Sequence, residues 1–186
     1  MNKTEILALI QFFSLRKTYN FLKLYVSFLI SKTSKSSKIY GLPMALSIEP
    51  TTACNLGCPE CPSGLKQFTR KTGNLSTSLN KKIVDELSGN LTYINYYFQG
   101  EPYINPHFFD FVSYANSKKI FCATSTNGHF LNDENCKKTI ESGLKRLIIS
   151  IDGNNQETYE VYRKNGRFEK VIEATKNILR WKKKIK

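Results

Sequence analysis

From residue 45 to the C-terminal end, short apolar strand-like runs alternate with helical segments four times over, and that alternation restricts the chain to one class of fold. Residues 45–48 read as a strand running into a cysteine-bearing loop, and residues 78–87 as the helix after it, with Ser78 as N-cap. Residues 93–98, aromatic and β-branched, make the next strand; past a turn over 100–106, a helix covers 107–117. A third strand spans 120–125 and a helix 132–142, closed by Gly143. Residues 147–151 have the apolar pattern of a strand buried on both faces. Helical segments over 156–163 and 168–181, broken near 165–166, complete the series. Tandem β→α units predict an α/β fold with a parallel sheet backed by helices, either open or a partial TIM-like barrel. In both architectures functional groups gather at the C-terminal ends of the strands. Here those ends hold Cys54, Cys58 and Cys61, then Gly100 and Glu101, then Ser125 and Asn127, then Ser150 and Asp152.

The five cysteines do not pair off as a disulfide framework would: three lie within residues 54–61, while Cys122 and Cys136 stand alone. A tight thiol cluster in an α/β chain indicates a metal or cluster site kept in a reducing compartment, hence a cytoplasmic protein. The C-x3-C-x2-C loop contains Gly57, Pro59 and Pro62 and can wrap three thiolates around a compact inorganic cluster. Three sulfurs are one short of a closed zinc or [4Fe–4S] site, which leaves a position for a substrate or cofactor. The other reading is a zinc site completed by Cys122, Cys136, His107 or His129, none of them near in sequence. Otherwise Cys122 and Cys136 read as small buried apolar residues.

The net charge of +13 separates into two basic ends: residues 1–40 carry +6 and residues 176–186 another +6, leaving +1 for residues 41–175. Three regions follow: an amphipathic helical segment with a basic linker over 1–40, a core over 41–175, and a basic end of the last helix over 176–186. Residues 4–30 read as helix in two segments, with a narrow polar stripe including Gln11, Ser14, Lys17 and Asn20 on a wide apolar surface. Such a helix either packs against the rest of the protein or makes peripheral contact with an anionic membrane. Its apolar runs fall short of the ~20 residues that a span needs. Residues 31–38 read as a polar linker. A nucleic-acid role is excluded, because the aromatics fall inside strands and helices rather than among the lysines.

Four stretches together resemble the radical S-adenosylmethionine (SAM) superfamily: SIEPTTACNLGCPECPSG over 47–64, FQGEP over 98–102, ISIDG over 149–153 and YRKNG over 162–166. The resemblance runs from residue 42 to 180 and is closest to the branch whose members often carry a C-terminal SPASM or twitch extension. It implies a [4Fe–4S] cluster on Cys54, Cys58 and Cys61, whose unique iron is chelated by the amino and carboxylate groups of SAM. It also implies one-electron cleavage of SAM to a 5′-deoxyadenosyl radical that abstracts hydrogen from a substrate, a peptide or small metabolite. The electron would come from a donor such as flavodoxin or ferredoxin. Gly100 and Glu101 would form the edge meeting the SAM amino group, Ser150 would contact SAM, and Arg163 would reach the carboxylate with its fork of donors. Ser125 and Asn127 offer polar groups for a ribose or carboxylate, although Asn127 and Gly128 could equally form a plain turn. Asp152 reads as the N-cap or turn acid of the next helix.

Three features depart from that pattern. Glu60 stands where an aromatic residue usually precedes the third cysteine, and Gln99 precedes Gly100 where two glycines are usual. The third is length: a core of six β→α units is typical and four are found. The expectation is a chain ending after the fourth unit: a fragment, a half-barrel completed by another polypeptide, or a remnant. A remnant would bind iron–sulfur or zinc without turnover and act through a partner or membrane surface. Four units also leave the edge of the last strand open.

Overall fold

A computed structural model describes residues 9–185. Four parallel strands, β1 (Ala45–Ser47), β2 (Tyr93–Asn95), β3 (Phe121–Thr126) and β4 (Arg146–Ile149), form one sheet in the order β1-β2-β3-β4. Helix α1 (Leu15–Ser34) precedes the sheet, and the short α2 (Pro62–Leu65) and then α3 (Thr77–Leu87) connect β1 to β2. Helix α4 (Phe108–Ser117) lies between β2 and β3, α5 (Asp133–Glu141) between β3 and β4, and α6 (Gln156–Tyr162) and α7 (Phe168–Lys184) follow β4.

The strand order decides between the two architectures left open by the sequence. Right-handed crossovers that always step the same way place every helix on one face of the sheet. A doubly wound sheet needs a reversal of order, and there is none here. The result is part of a barrel wall. Alternation along the strands agrees: Leu46, Ile94 and Cys122 are in register, Leu147 lies opposite Thr124 two residues further along the same face, and all four belong to the core beneath the helices. Val84, Phe108, Phe111, Val112 and Ala174 meet them from the helix side. The opposite, concave face carries Ser47, Asn95, Ala123 and Ser125. Its lower end is closed by aromatic rings, with Tyr93 stacked on Phe121 at 5.3 Å and Phe12 edge-on to Phe121 at 5.6 Å.

Several boundaries differ from the sequence reading, each for a local reason. The N-cap before β2 is Ser76 rather than Ser78: its Oγ accepts from the Leu79 N–H at 3.2 Å, and the helix starts at Thr77. β2 stops at Asn95 although residues 96–98 have strand propensity, because the chain turns there toward Gly100. Residues 147–151 were expected to be buried on both faces, yet all of β4 is only half-buried, since among the described residues it pairs with β3 alone. Asn155, not Asp152, caps α6, in a capping box with Thr158. Gly143 follows α5 with a φ of +79°, the left-handed turn expected of it.

Of the helix expected over 4–30, residues 4–8 lie outside the described residues. The rest does break into two segments, with Ser14 capping α1 by accepting from Lys17 N–H at 3.3 Å. Helix α1 runs on to Ser34, into the stretch read as linker. No helix among the described residues is long and apolar enough to cross a membrane.

Candidate functional site

The loop after β1 is held before any ligand is considered. Thr51 Oγ accepts from Ala53 N–H at 3.1 Å and donates to the Gly73 carbonyl at 3.0 Å. The Cys61 N–H donates to the Cys58 carbonyl at 3.2 Å, so the second and third cysteines share one turn that runs into α2. Pro62 opens α2, where its missing N–H costs nothing. Gly64 lies so close beneath Cys58 that a Cβ there would stand 2.6 Å from the Cys58 nitrogen.

The other strand ends close on this loop. Gly100 adopts φ +75°, and a Cβ on it would fall 2.1 Å from the Thr51 carbonyl oxygen, so only glycine lets the β2 loop touch the cysteine loop. The next N–H, of Glu101, donates to the Ala53 carbonyl at 2.8 Å. From the far side, the Gly57 N–H donates to the Lys164 carbonyl at 3.0 Å, joining the cysteine loop to the turn after α6. Asn127 links a third loop, donating from Nδ2 to Asn55 Oδ1 at 2.8 Å and, more weakly, toward Cys54 Sγ at 3.9 Å.

All nine residues singled out from the sequence line one cavity at the C-terminal ends of the strands: Cys54, Cys58, Cys61, Gly100, Glu101, Ser125, Asn127, Ser150 and Arg163. The Ser125 and Ser150 hydroxyls lie 3.3 Å apart across β3 and the end of β4. Arg163 Nε donates to Asp152, and NH1 points to Cys58 Sγ at 3.7 Å. Asp152 is therefore the partner of Arg163 rather than a helix cap. Cys122 and Cys136 are fully buried in the core, away from this cavity. His129 binds Asn127 and the Arg167 N–H, and His107 sits beside Asp110. No group of three or more His, Cys, Asp or Glu among the described residues is arranged to hold a single metal ion. The three thiols line a wall around a space rather than converging on one point.

Six further residues line the cavity without having been assigned a role from sequence: Leu56, Gly64, Tyr97, Phe98, Gln99 and Thr126. Ser63, also unassigned, braces the cavity from behind its lining. Ser63 Oγ accepts from Gly100 N–H at 2.9 Å and donates to Gln99 Oε1 at 3.0 Å, and Cys61 Sγ approaches the same amide oxygen at 3.4 Å. This brace has no sequence signal beyond Ser63 falling in the cysteine stretch. Phe98 is 75 % exposed at the mouth and gives it an apolar surface, while Glu60 is exposed and outside the lining.

Burial shapes the electrostatics. It pushes the Cys54 thiol up, and also that of Cys58, where Arg163 opposes the rise. Glu101 is only 2 % exposed; its Oε1 accepts from Thr126 Oγ1 at 2.7 Å and Tyr103 N–H at 3.4 Å, and Oε2 from Asn127 N–H at 2.8 Å. The carboxylate thus ties the β2 loop to the end of β3. Burial still outweighs these donors and raises its pKa to about 7. The folded protein therefore holds this proton at pH values where the unfolded chain has lost it. Stability is expected to fall as pH rises through the window from about 4.5 to about 7, by roughly a few kcal/mol. In Glu101→Gln the amide donates to Thr126 instead, and urea melts at pH 5 and pH 7.5 should lose most of that difference. An undiminished pH dependence in the variant would assign the effect to other groups.

The model of the family described as "Radical SAM superfamily" matches residues 48–182. Mycofactocin maturase MftC from Mycobacterium ulcerans is 33% identical over 136 residues, which is 73% of this chain and 36% of the relative. The AdoMet-dependent heme synthase from Methanosarcina barkeri is 32% identical over 131 residues, 70% of this chain and 37% of the relative. The chain thus spans little more than a third of the length of these curated relatives. Among solved structures, native anSMEcpe with bound AdoMet superimposes with a TM-score of 0.63 at 24% identity, over 75% of this chain and 42% of that one. SuiB of Streptococcus suis bound to S-adenosylmethionine gives 0.65 at 16% identity, over 85% and 36%. These two likenesses are to the fold, a parallel β/α wall. With a family model covering most of the chain, relatives a third identical, and that wall in place, the chain belongs to the radical SAM superfamily.

Proposed function

We propose that this chain is the cofactor-binding core of a radical SAM enzyme, and that its substrate is a peptide or small metabolite. The observation that supports the reading is the convergence of four strand-end loops on one cavity with three thiols, a buried carboxylate, two serines and an arginine. The donor set suits the cofactors. Cys54, Cys58 and Cys61 would hold three irons of a [4Fe–4S] cluster, and among the described residues no fourth thiol reaches the cavity to close the last. When bound together, the cluster and SAM supply a one-electron cleavage that yields a 5′-deoxyadenosyl radical for hydrogen abstraction.

The residues of the chain do the holding and positioning. Gly100 brings backbone to the cavity edge, and Glu101 supplies negative charge for an ammonium, which would draw its carboxyl down from the raised value. Arg163 supports the Cys58 thiolate and offers its remaining donors to a carboxylate. Ser125, Ser150 and Asn127 present short polar groups to a ribose or carboxylate. Tyr97 and Phe98 add apolar wall, which Glu60, exposed outside the lining, does not supply. Residues 41–175 form the working core in this reading, with basic flanks on either side and a flavodoxin or ferredoxin as electron donor.

Anaerobic reconstitution with iron and sulfide should give the absorption of a [4Fe–4S] cluster, and dithionite with SAM should then yield 5′-deoxyadenosine. A well-formed cluster without any 5′-deoxyadenosine would overturn activity for this chain. One zinc per chain with no labile sulfide would overturn the cofactor assignment itself.

A further inference from the structure

Helix α1 is inside out. Its buried residues are Lys17, Asn20 and Ser27, and these make its bonds to the rest of the protein. Lys17 Nζ donates to the Lys119 carbonyl. Asn20 donates to the Leu42 carbonyl at 2.8 Å and accepts from the Leu42 N–H at 2.9 Å, while Ser27 accepts from the Tyr40 N–H at 2.9 Å. At 100° per residue these positions share one stripe, and the side chains opposite it are Leu15, Tyr19, Leu22, Val26 and Leu29. All of those are exposed, from 44 % for Leu29 to 92 % for Leu15. A surface helix ordinarily shows the reverse arrangement.

The position of α1 in the fold is equally specific. Its partners lie just ahead of the strands: Leu42 before β1, Gly89 against Arg16 before β2, and Lys119 before β3. Just upstream, Phe12 touches Phe121, and Lys145 ahead of β4 stacks over Phe12 at 5.7 Å. The helix therefore underlies the floor of the barrel wall, at the opposite end from the cysteine cavity.

What fits this face is indicated by charge. Between residues 6 and 48 there are six basic residues and no acidic one. Around the helix, Lys23 borders the apolar face on one side and Lys32 on the other, where long side chains can reach a headgroup layer while their stems lie on hydrocarbon; the Arg16 guanidinium instead lies against Gly89. Lys23 sits over the Tyr19 ring at 4.6 Å, and Tyr25 and Tyr40 are half exposed nearby. An apolar face with aromatic and cationic borders is the pattern of a helix lying in the plane of an anionic membrane surface. Helix α1 has 20 residues, a length of ~30 Å. We propose that α1 docks the protein on anionic lipid, lying along the surface with its polar stripe toward the protein, so that the cysteine cavity opens away from the bilayer.

The test uses the 186-residue chain and flotation with vesicles of phosphatidylglycerol and phosphatidylcholine in equal parts, or of phosphatidylcholine alone. The chain should float with the anionic vesicles and far less with the neutral ones, and added salt should weaken binding. Leu22→Glu with Val26→Glu should lower the partition by about tenfold or more without lowering the melting temperature, because both sites face solvent. Lys23→Gln with Lys32→Gln should lower it by roughly fivefold per residue through charge alone. No flotation of the parent chain would overturn the proposal. So would a dimer in sedimentation that the Leu22/Val26 variant dissociates, since a second copy would then occupy the face. Lipid binding does not require the cluster, so its failure and a failure of reconstitution are separate results.

Discussion

Replacing Cys54, Cys58 or Cys61 singly with serine is expected to reduce incorporated iron from about four per chain to near zero. Reconstituted Cys122→Ser and Cys136→Ser should keep the full cluster. The five cysteines are free, but only the first three line the cavity. Cys122 and Cys136 are fully buried, each with its sulfur near a carbonyl oxygen, at 3.5 Å from Ile120 and 3.4 Å from Leu131. A hydroxyl in those places finds an acceptor but sits in an apolar core, which costs about 1 kcal/mol or more of stability. The two groups of variants should thus separate in opposite ways, one in iron and sulfide content, the other in thermal melting. Loss of iron from Cys122→Ser with its fold intact would mean that the cluster is held elsewhere.

Gly100→Ala is expected to be the most damaging single-atom addition in the molecule. Its Cβ would meet the Thr51 carbonyl oxygen at 2.1 Å and the Ala53 carbonyl oxygen at 3.0 Å, and both obstacles are backbone. The left-handed φ adds ~1–2 kcal/mol for any residue with a side chain. Forced overpacking adds ~1–3 kcal/mol more. Relief of the contact requires the β2 loop to back away from the cysteine loop, which also breaks the bond from Glu101 N–H to Ala53. A fall in melting temperature of roughly 5–15 °C should accompany loss of cluster retention. Gly73→Ala, with nothing within 4 Å of the added atom, is the matched control. Equal melting temperatures for the two variants would show that the loops are not packed as described.

Much of the architecture was legible because it depends on periodicity. Apolar runs such as 147–149 and turn residues such as Gly143 place strands and helix ends without reference to the rest of the chain. The strand-end rule then gathered nine site residues that are distant in sequence into one cavity. What escaped depends on a partner from another element. The Ser63–Gln99–Gly100 brace joins residues 36 and 37 positions apart, and Asp152 found Arg163 rather than the helix start beside it. Glu101 was readable as a carboxylate at a strand end, but not as the knot between two loops, because its partners Thr126 and Asn127 lie on β3 and just beyond. The polarity of α1 escaped for a different reason. A wide apolar surface and a narrow polar stripe are both visible in residues 9–34, and only the packing reveals that the stripe faces inward.

The unequal faces of the sheet have a mechanical consequence. Hydrophobic burial pulls on the four strands from the helix side, through Ile94, Tyr96, Cys122 and their neighbours. Above the aromatic rings at its lower end, the concave side offers Ser47, Asn95, Ala123 and Ser125, small or polar groups that gain little by closing on one another, and the Asn95 side-chain Oδ1 there is buried without a hydrogen-bond partner among the described residues. The sheet is therefore a shell tensioned from outside, not a plate clamped between two layers. Its radius of curvature is set by how α3, α4, α5 and α7 pack, so a core substitution in those helices bends the wall and moves the mouth of the cavity without touching a residue that lines it.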